Sequence, residues 1–229
     1  MNIQKYVTVN WSIVSEVIDL LGGVEVEITE AEMNAMNKYI RETARVAGKE
    51  AVLIEEPGVQ TLDGVQATTY ARIRKGVGDD YARTGRQREL IELALKKAIR
   101  SDLGTIDKII DTVFPEVSTN FSLGEILKYA SNLTKFEIID NSGFPFKKDN
   151  ATLPGRGSCA FSTDFVEDVR MLHEFLFEVT DFEPSDTVKE VADDVRYIVG
   201  GRYNSNRYDD DDDTWTDTSS NTTNDVNVS

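Results

Sequence analysis

Between Ala71 and Leu90, the stretch ARIRKGVGDDYARTGRQREL sets five arginines and one lysine within twenty residues. Arginine suits phosphate because its planar fork donates paired hydrogen bonds and keeps its charge when desolvated. Several forks converging on one place would hold more than one set of phosphate oxygens, as a pyrophosphate presents them. The whole chain has a formal net charge of −16 at pH 7, so any anion must be caught locally. A competing reading stays open, in which the arginines pair with Asp79, Asp80 and Glu89 and the run is a solvated face of an acidic protein.

Helical periodicity sorts the cluster. Over residues 84–100, Leu90, Ile91, Ala94, Leu95 and Ala98 form an apolar stripe, and at about 100° per residue it projects back onto Gln87 and Arg83. This register aims Arg83 and Gln87 inward, sets Arg88 at the solvent edge with Glu92 and Lys96, and leaves Arg86 undecided on the opposite shoulder. The first turn of the helix adds unpaired N–H groups and the positive end of its dipole. Upstream, a period of two over TYARIRKG puts Tyr70, Arg72 and Arg74 on one side of an extended segment. Gly76 and Gly78 then let the chain reverse so that both sets of arginines meet, with Asp79 and Asp80 placed to orient them, to hold a metal or to act as a base.

The elements that must carry these residues have local start signals. Asn10 caps a helix over 11–21 that Gly22 and Gly23 end, and VEVEI (24–28) alternates as a half-buried strand does. Thr29 with Glu32, and Ser122 with Glu125, read as capping boxes, while Asp63 caps a short helix before the arginines. KFEIID (135–140) reads as a further strand. Two amphipathic helices follow, in TDFVEDVRMLHEFLFE and PSDTVKEVADDVRYIV, the second entered through Pro184 and capped by Ser185. Helices alternating with strands over about 200 residues predict an α/β layered α-β-α fold, with a central mixed sheet flanked by helices. From Asn204 the chain is Asp, Asn, Ser and Thr with almost nothing apolar, so residues 204–229 are expected to be a disordered acidic tail behind a domain over 1–203.

Composition excludes several classes. A single cysteine, Cys159, rules out an internal disulfide framework and a cysteine-based zinc site. A sequence pI near 4.5 opposes a nucleic-acid-binding regulator, which needs a basic field over a whole face. No run approaches a membrane span, and MNIQKYVTVNW lacks the apolar core of a secretory signal. His173 reads as a partly buried helix residue, Cys159 as a small apolar one, and PGRGS (154–158) as a surface turn. Tyr70 and Tyr81 read as core packing or as stacking platforms for a sugar.

Taken together, LDGVQATTYARIR and GDDYARTGRQRELI, with VIDLLGGVEVEI upstream, resemble the signature of the LytR-CpsA-Psr family. The motifs cover roughly residues 6–100, and the likeness continues more loosely to about residue 203. The resemblance implies an extracytoplasmic, cell-surface phosphotransferase of a Gram-positive type envelope. Such an enzyme moves a teichoic acid or capsular polysaccharide from a polyprenyl pyrophosphate carrier to peptidoglycan. By position, Arg72, Arg74, Arg83 and Gln87 match the pyrophosphate contacts, with Arg74 and Arg83 as catalytic groups and Asp80 and Arg86 in support. It also implies Mg2+, held in the family by a stretch that precedes the LGGV element, so the metal ligands are expected in an upstream part absent from this chain. The chain then reads as the latter part of the family's domain, incomplete on its N-terminal side. Any membrane association would come from an anchor outside it or from the lipid substrate, and a non-catalytic module that binds the same lipid-linked phosphate is the alternative.

Overall fold

The computed structural model describes residues 3–78 and 80–200. The expected tail over 204–229 and Asp79 lie outside the described residues. The chain divides into two compact units, the first ending at Gly143 and the second beginning at Phe144.

In the first unit, each element starts where a side chain can satisfy the free amides of a helix end. After the two-residue strand β1 (Val7–Thr8), helix α1 (Trp11–Leu20) opens on Asn10, whose side-chain oxygen accepts from the Ile13 amide at 2.9 Å. Such a cap contributes about 1 kcal/mol. Gly22 and Gly23 end the helix with φ of 75° and 81°. A Cβ on Gly23 would lie 2.7 Å from the Leu62 carbonyl oxygen, so only glycine lets β2 (Val24–Ile28) start this close to its partner strand. Helix α2 (Glu30–Ala47) opens on the expected capping box: the Glu32 amide donates to Thr29 Oγ1 at 3.2 Å, and the Thr29 amide to Glu32 Oε2 at 3.0 Å.

Strand β3 (Gly58–Leu62) pairs antiparallel with β2, Val24 facing Leu62 and Ile28 facing Gly58. Helix α3 (Gly64–Tyr70), capped by Asp63, is buried along its whole length and lies so close to α1 that a Cβ on Gly64 would fall 1.9 Å from the Ser15 carbonyl oxygen. Helix α4 (Asp80–Ile99) follows, then α5 (Leu103–Val113), the two-residue strand β4 (Ser118–Thr119) paired with β1, and α6 (Leu123–Ala130) with its Ser122–Glu125 capping box. Near the far end of α4, Lys97 Nζ donates to the carbonyls of Gly22 at 2.8 Å and Gly23 at 2.6 Å, satisfying the end of α1. The core gathers Ile18, Val24, Val26, Ile28, Met36, Leu62, Tyr70, Ile73 and Leu90. Each fully buried aliphatic side chain there contributes about 2 kcal/mol.

The second unit holds a hairpin of β5 (Lys148–Leu153) and β6 (Gly157–Ser162), followed by α7 (Phe165–Phe177) and α8 (Asp186–Val199). PGRGS is the expected turn, reversing the chain between the two strands. Asp168, fully buried on α7, accepts from the amides of Phe146 at 3.1 Å and Lys147 at 2.7 Å and from the Ser162 hydroxyl, so one carboxylate ties the hairpin to the helix. His173 stacks on Phe182 and is a half-buried helix residue, as expected.

The α/β class, with helices flanking small sheets, is as the sequence indicates. Among the described residues the sheet component is three separate two-stranded antiparallel ladders in place of one central mixed sheet. KFEIID is not a strand: a single 3-10 turn, Leu133–Lys135, precedes a segment without regular structure. Phe136 and Ile139 are both exposed there, so its apolar alternation has no face to bury.

Candidate functional site

The arginine segment is not extended. Helix α3 runs to Tyr70, Ala71 closes it in a helical conformation, and the Arg72 and Ile73 amides both return to the Thr69 carbonyl, at 2.9 and 3.0 Å. Ala71 and Ile73 are buried and Arg72 and Arg74 less so, as alternation expects, but Tyr70 is buried next to Ala71, and the amides that return to Thr69 make the segment a helix end and turn in place of a strand. This turn separates Arg72 from Arg74. Arg72 faces α1 and α2: Nη1 donates to Thr43 Oγ1 at 3.1 Å, Nη2 lies 3.8 Å from Glu42, and the guanidinium sits 6.0 Å from the Trp11 ring centroid. Arg74 faces α4, where its Nε is 3.3 Å from Asp80 Oδ1.

Asp80 opens α4 and draws a second guanidinium, with Arg83 Nη2 2.8 Å from the same Oδ1. The three side chains keep 47% (Arg74), 37% (Arg83) and 48% (Asp80) of their surface exposed. The shared oxygen itself is buried between the two cations, while the rest of each side chain reaches solvent. Asp80 is ion-paired with both arginines, which is the contact that the ion-pairing reading expected. Gln87 Nε2 donates to the Ala71 carbonyl at 3.2 Å and so braces the turn.

The inward arginine is Arg86, which corrects the register expected for Arg83 and Gln87. Only 6% of Arg86 is exposed, while Arg83 and Gln87 are half-buried. The stripe was centred too far round because it counted Ile91, which is 67% exposed; Leu90 is the buried anchor, and Arg86 stands one turn before it on the same face. The four-residue spacing from Leu90 was the available signal. Arg86 Nη2 donates to the Ile73 carbonyl at 2.8 Å, and Nη1 to the Val77 carbonyl at 3.1 Å and to Glu32 Oε1 at 3.4 Å. Glu32, read in the sequence only as a cap, is thus also the partner of the buried arginine. Arg88, expected at the solvent edge, is half-buried, and its Nη1 would lie 2.9 Å from a Cβ on Gly143.

Below the arginines, Tyr70 packs in the core, and its hydroxyl donates to Glu89 Oε2 at 2.8 Å. Burial, then the hydrogen bond to Glu89 and its negative charge, push the Tyr70 phenol far above its ordinary range, so it acts as a fixed donor. Among the described residues, no three His, Cys, Asp or Glu side chains gather to hold a metal ion. Asp80, the acid at the cluster, is already spanned by two guanidiniums. The described residues therefore do not fit the divalent cation that the resemblance implies.

Comparison with known proteins gives the family of the chain. The LytR_cpsA_psr family profile matches residues 1–166, which include every arginine above. Biofilm regulatory protein A of Streptococcus mutans is 32% identical over 163 residues, covering 68% of this chain and 37% of that protein. The polyisoprenyl-teichoic acid–peptidoglycan teichoic acid transferase TagT of Bacillus subtilis is 27% identical over 142 residues, covering 60% of this chain and 41% of TagT. The chain thus spans about two fifths of the length of these curated relatives. Among solved structures, a protein of Enterococcus faecalis described as a transcriptional regulator superposes with a TM-score of 0.63 at 22% identity, over 86% of this chain and 69% of that one. TagV of B. subtilis gives 0.52 at 22% identity, over 80% of this chain and 66% of TagV. At such identities the superpositions speak for the fold alone; the profile match over most of the chain shows that it belongs to the LytR_cpsA_psr family.

Proposed function

We propose that the chain acts in the transfer of a wall glycopolymer, of teichoic acid or capsular polysaccharide type, from a polyprenyl pyrophosphate carrier to peptidoglycan outside the cytoplasm. The supporting observation is the shared Asp80 oxygen, which holds Arg74 and Arg83 side by side and accessible. A pyrophosphate arriving there offers several oxygens where the carboxylate offers one, and it replaces Asp80 as the partner of both forks. A wall sugar hydroxyl attacks the phosphorus of the glycopolymer-bearing phosphate and gives up its proton to solvent, the bond from that phosphorus to the bridging oxygen breaks, and polyprenyl phosphate departs with that oxygen. Arg74 and Arg83 stabilise the charge that grows on the phosphoryl oxygens. Gln87 supports the turn behind them, and Arg72 extends the positive rim towards Trp11. No step of this reaction is assigned to a metal. TagT, TagU and TagV, whose names describe teichoic acid transfer to peptidoglycan, support the same chemistry.

The test is binding of farnesyl pyrophosphate, a soluble short-chain carrier, to the purified chain. Saturable binding that falls by at least tenfold in Arg74→Ala and in Arg83→Ala is the expected outcome, the size associated with losing a charge-assisted contact. Wild-type binding that survives both substitutions removes the site. Turnover of a lipid-linked donor with a peptidoglycan acceptor separates transfer from binding alone.

A further inference from the structure

We propose that Arg86 is the positioning residue of this site: it sets the turn that carries Arg74, and thereby the place where Arg74 and Arg83 face one anion. The inference rests on the phosphate reading above. Its carbonyl partners, Ile73 and Val77, lie on either side of Arg74–Gly76, so a single planar fork closes the base of the turn. Little else does. Gly76 and Gly78 adopt φ of 79° and 110°, and the backbone bond across the turn, from the Val77 amide to the Arg74 carbonyl, is 3.4 Å long. Two glycines widen the choice of backbone angles and the turn's own bond is long, so the two carbonyl contacts of the guanidinium add a strong constraint on its shape.

The clamp is itself held. Glu32 Oε1 meets Arg86 at 3.4 Å, while Oε2 accepts from the Thr29 amide at 3.0 Å and the Thr29 hydroxyl at 2.8 Å. The carboxylate that neutralises Arg86 is thus fixed by the start of α2, and α2 packs into the core through Met36 and Ile40. Position passes from α2 to Glu32, to Arg86, to the turn, and to Arg74. At 6% exposure, with Nη1 and Nη2 committed to two carbonyls and a carboxylate and Nε buried, Arg86 acts through Arg74 and does not touch the phosphate. Lysine could keep the charge opposite Glu32 but would offer a point donor where a fork is needed.

The experiment is a double-mutant cycle on farnesyl pyrophosphate affinity with wild type, Arg86→Lys, Arg74→Ala and the double variant, joined to amide hydrogen exchange. Arg86→Lys is expected to weaken binding about tenfold in the wild-type background and less than about twofold in Arg74→Ala, because its effect passes through Arg74. Exchange at Val77 should rise in Arg86→Lys while that at Leu90 and Leu93 of α4 stays unchanged. Additive losses of affinity, or an unaltered Val77 exchange rate, overturn the assignment. Wild-type chain that binds no farnesyl pyrophosphate sinks the phosphate reading instead, and the Val77 exchange rate then decides the clamp by itself.

Discussion

Arg83 Nη2 lies 2.8 Å from Asp80 Oδ1, one helical turn apart on α4, with both side chains in contact with solvent. Exposed pairs at this spacing contribute about 0.2–1 kcal/mol, so Asp80 holds its arginines in place without holding them shut. An incoming phosphate competes against a weak partner.

Replacing that acid should therefore help binding. Asp80→Asn is expected to tighten farnesyl pyrophosphate by about threefold to tenfold, as one competing charge is removed, and to change unfolding stability by less than about 1 kcal/mol. Isothermal titration and urea denaturation read the two numbers, and weaker binding would contradict the role given to Asp80.

The arginines should separate by stability. Arg74→Ala and Arg83→Ala remove half-exposed side chains and are expected to cost under about 1 kcal/mol. Arg86→Ala strips a part-buried carboxylate and two carbonyls of their donor and is expected to cost about 3 kcal/mol or more. Equal denaturation midpoints for all three would contradict the burial assigned to Arg86.

Gly64 is a steric sentinel for α1 against α3. A Cβ there would fall 1.9 Å from the Ser15 carbonyl oxygen, and the Gly64 amide is bonded to Asp19 Oδ1 at 2.6 Å, so neither helix can retreat cheaply. Gly64→Ala is expected to destabilise the chain by about 4 kcal/mol or to prevent folding, despite the better helix propensity of alanine. A soluble variant of wild-type stability would show that the two helices slide apart freely.

Tyr70 makes stability sensitive to alkali. Its folded-state pKa is raised, so the folded chain keeps a proton that the unfolded chain releases near pH 10. The stabilising contribution is complete below that point and is lost as the pH climbs above it. Denaturation midpoints at pH 8 and pH 11 should fall further in wild type than in Tyr70→Phe, and parallel losses would refute the assignment.

What the sequence makes legible here is local. Asn10, Thr29 with Glu32, Asp63, Ser122 with Glu125, and Ser185 each act within four residues, and each caps the helix expected of it. The pairing of Arg86 with Glu32 spans 54 residues, and nothing in the pattern around either marks the other. A helix was expected from 84, but α4 begins at Asp80, an extra turn that brings Asp80 and Arg83 onto one face. The Arg72–Arg74 segment misled because alternation in five residues suits either a strand or a turn with one buried residue at its centre, and Ile73 is that residue. The hairpin of β5 and β6 gave little signal, since its strands bury few of their residues.

Arg86 and Lys97 are eleven residues apart, three turns and about 20° round the helix, so both leave α4 on nearly the same bearing. One is pinned to the Ile73 and Val77 carbonyls and the other to those of Gly22 and Gly23. Two pins about 16 Å apart on one side of a rod stop it from rolling about its own axis. The azimuth of Arg83 is thereby locked: it can sweep through its rotamers, but the compass heading from which it does so is set by backbone oxygens at both ends.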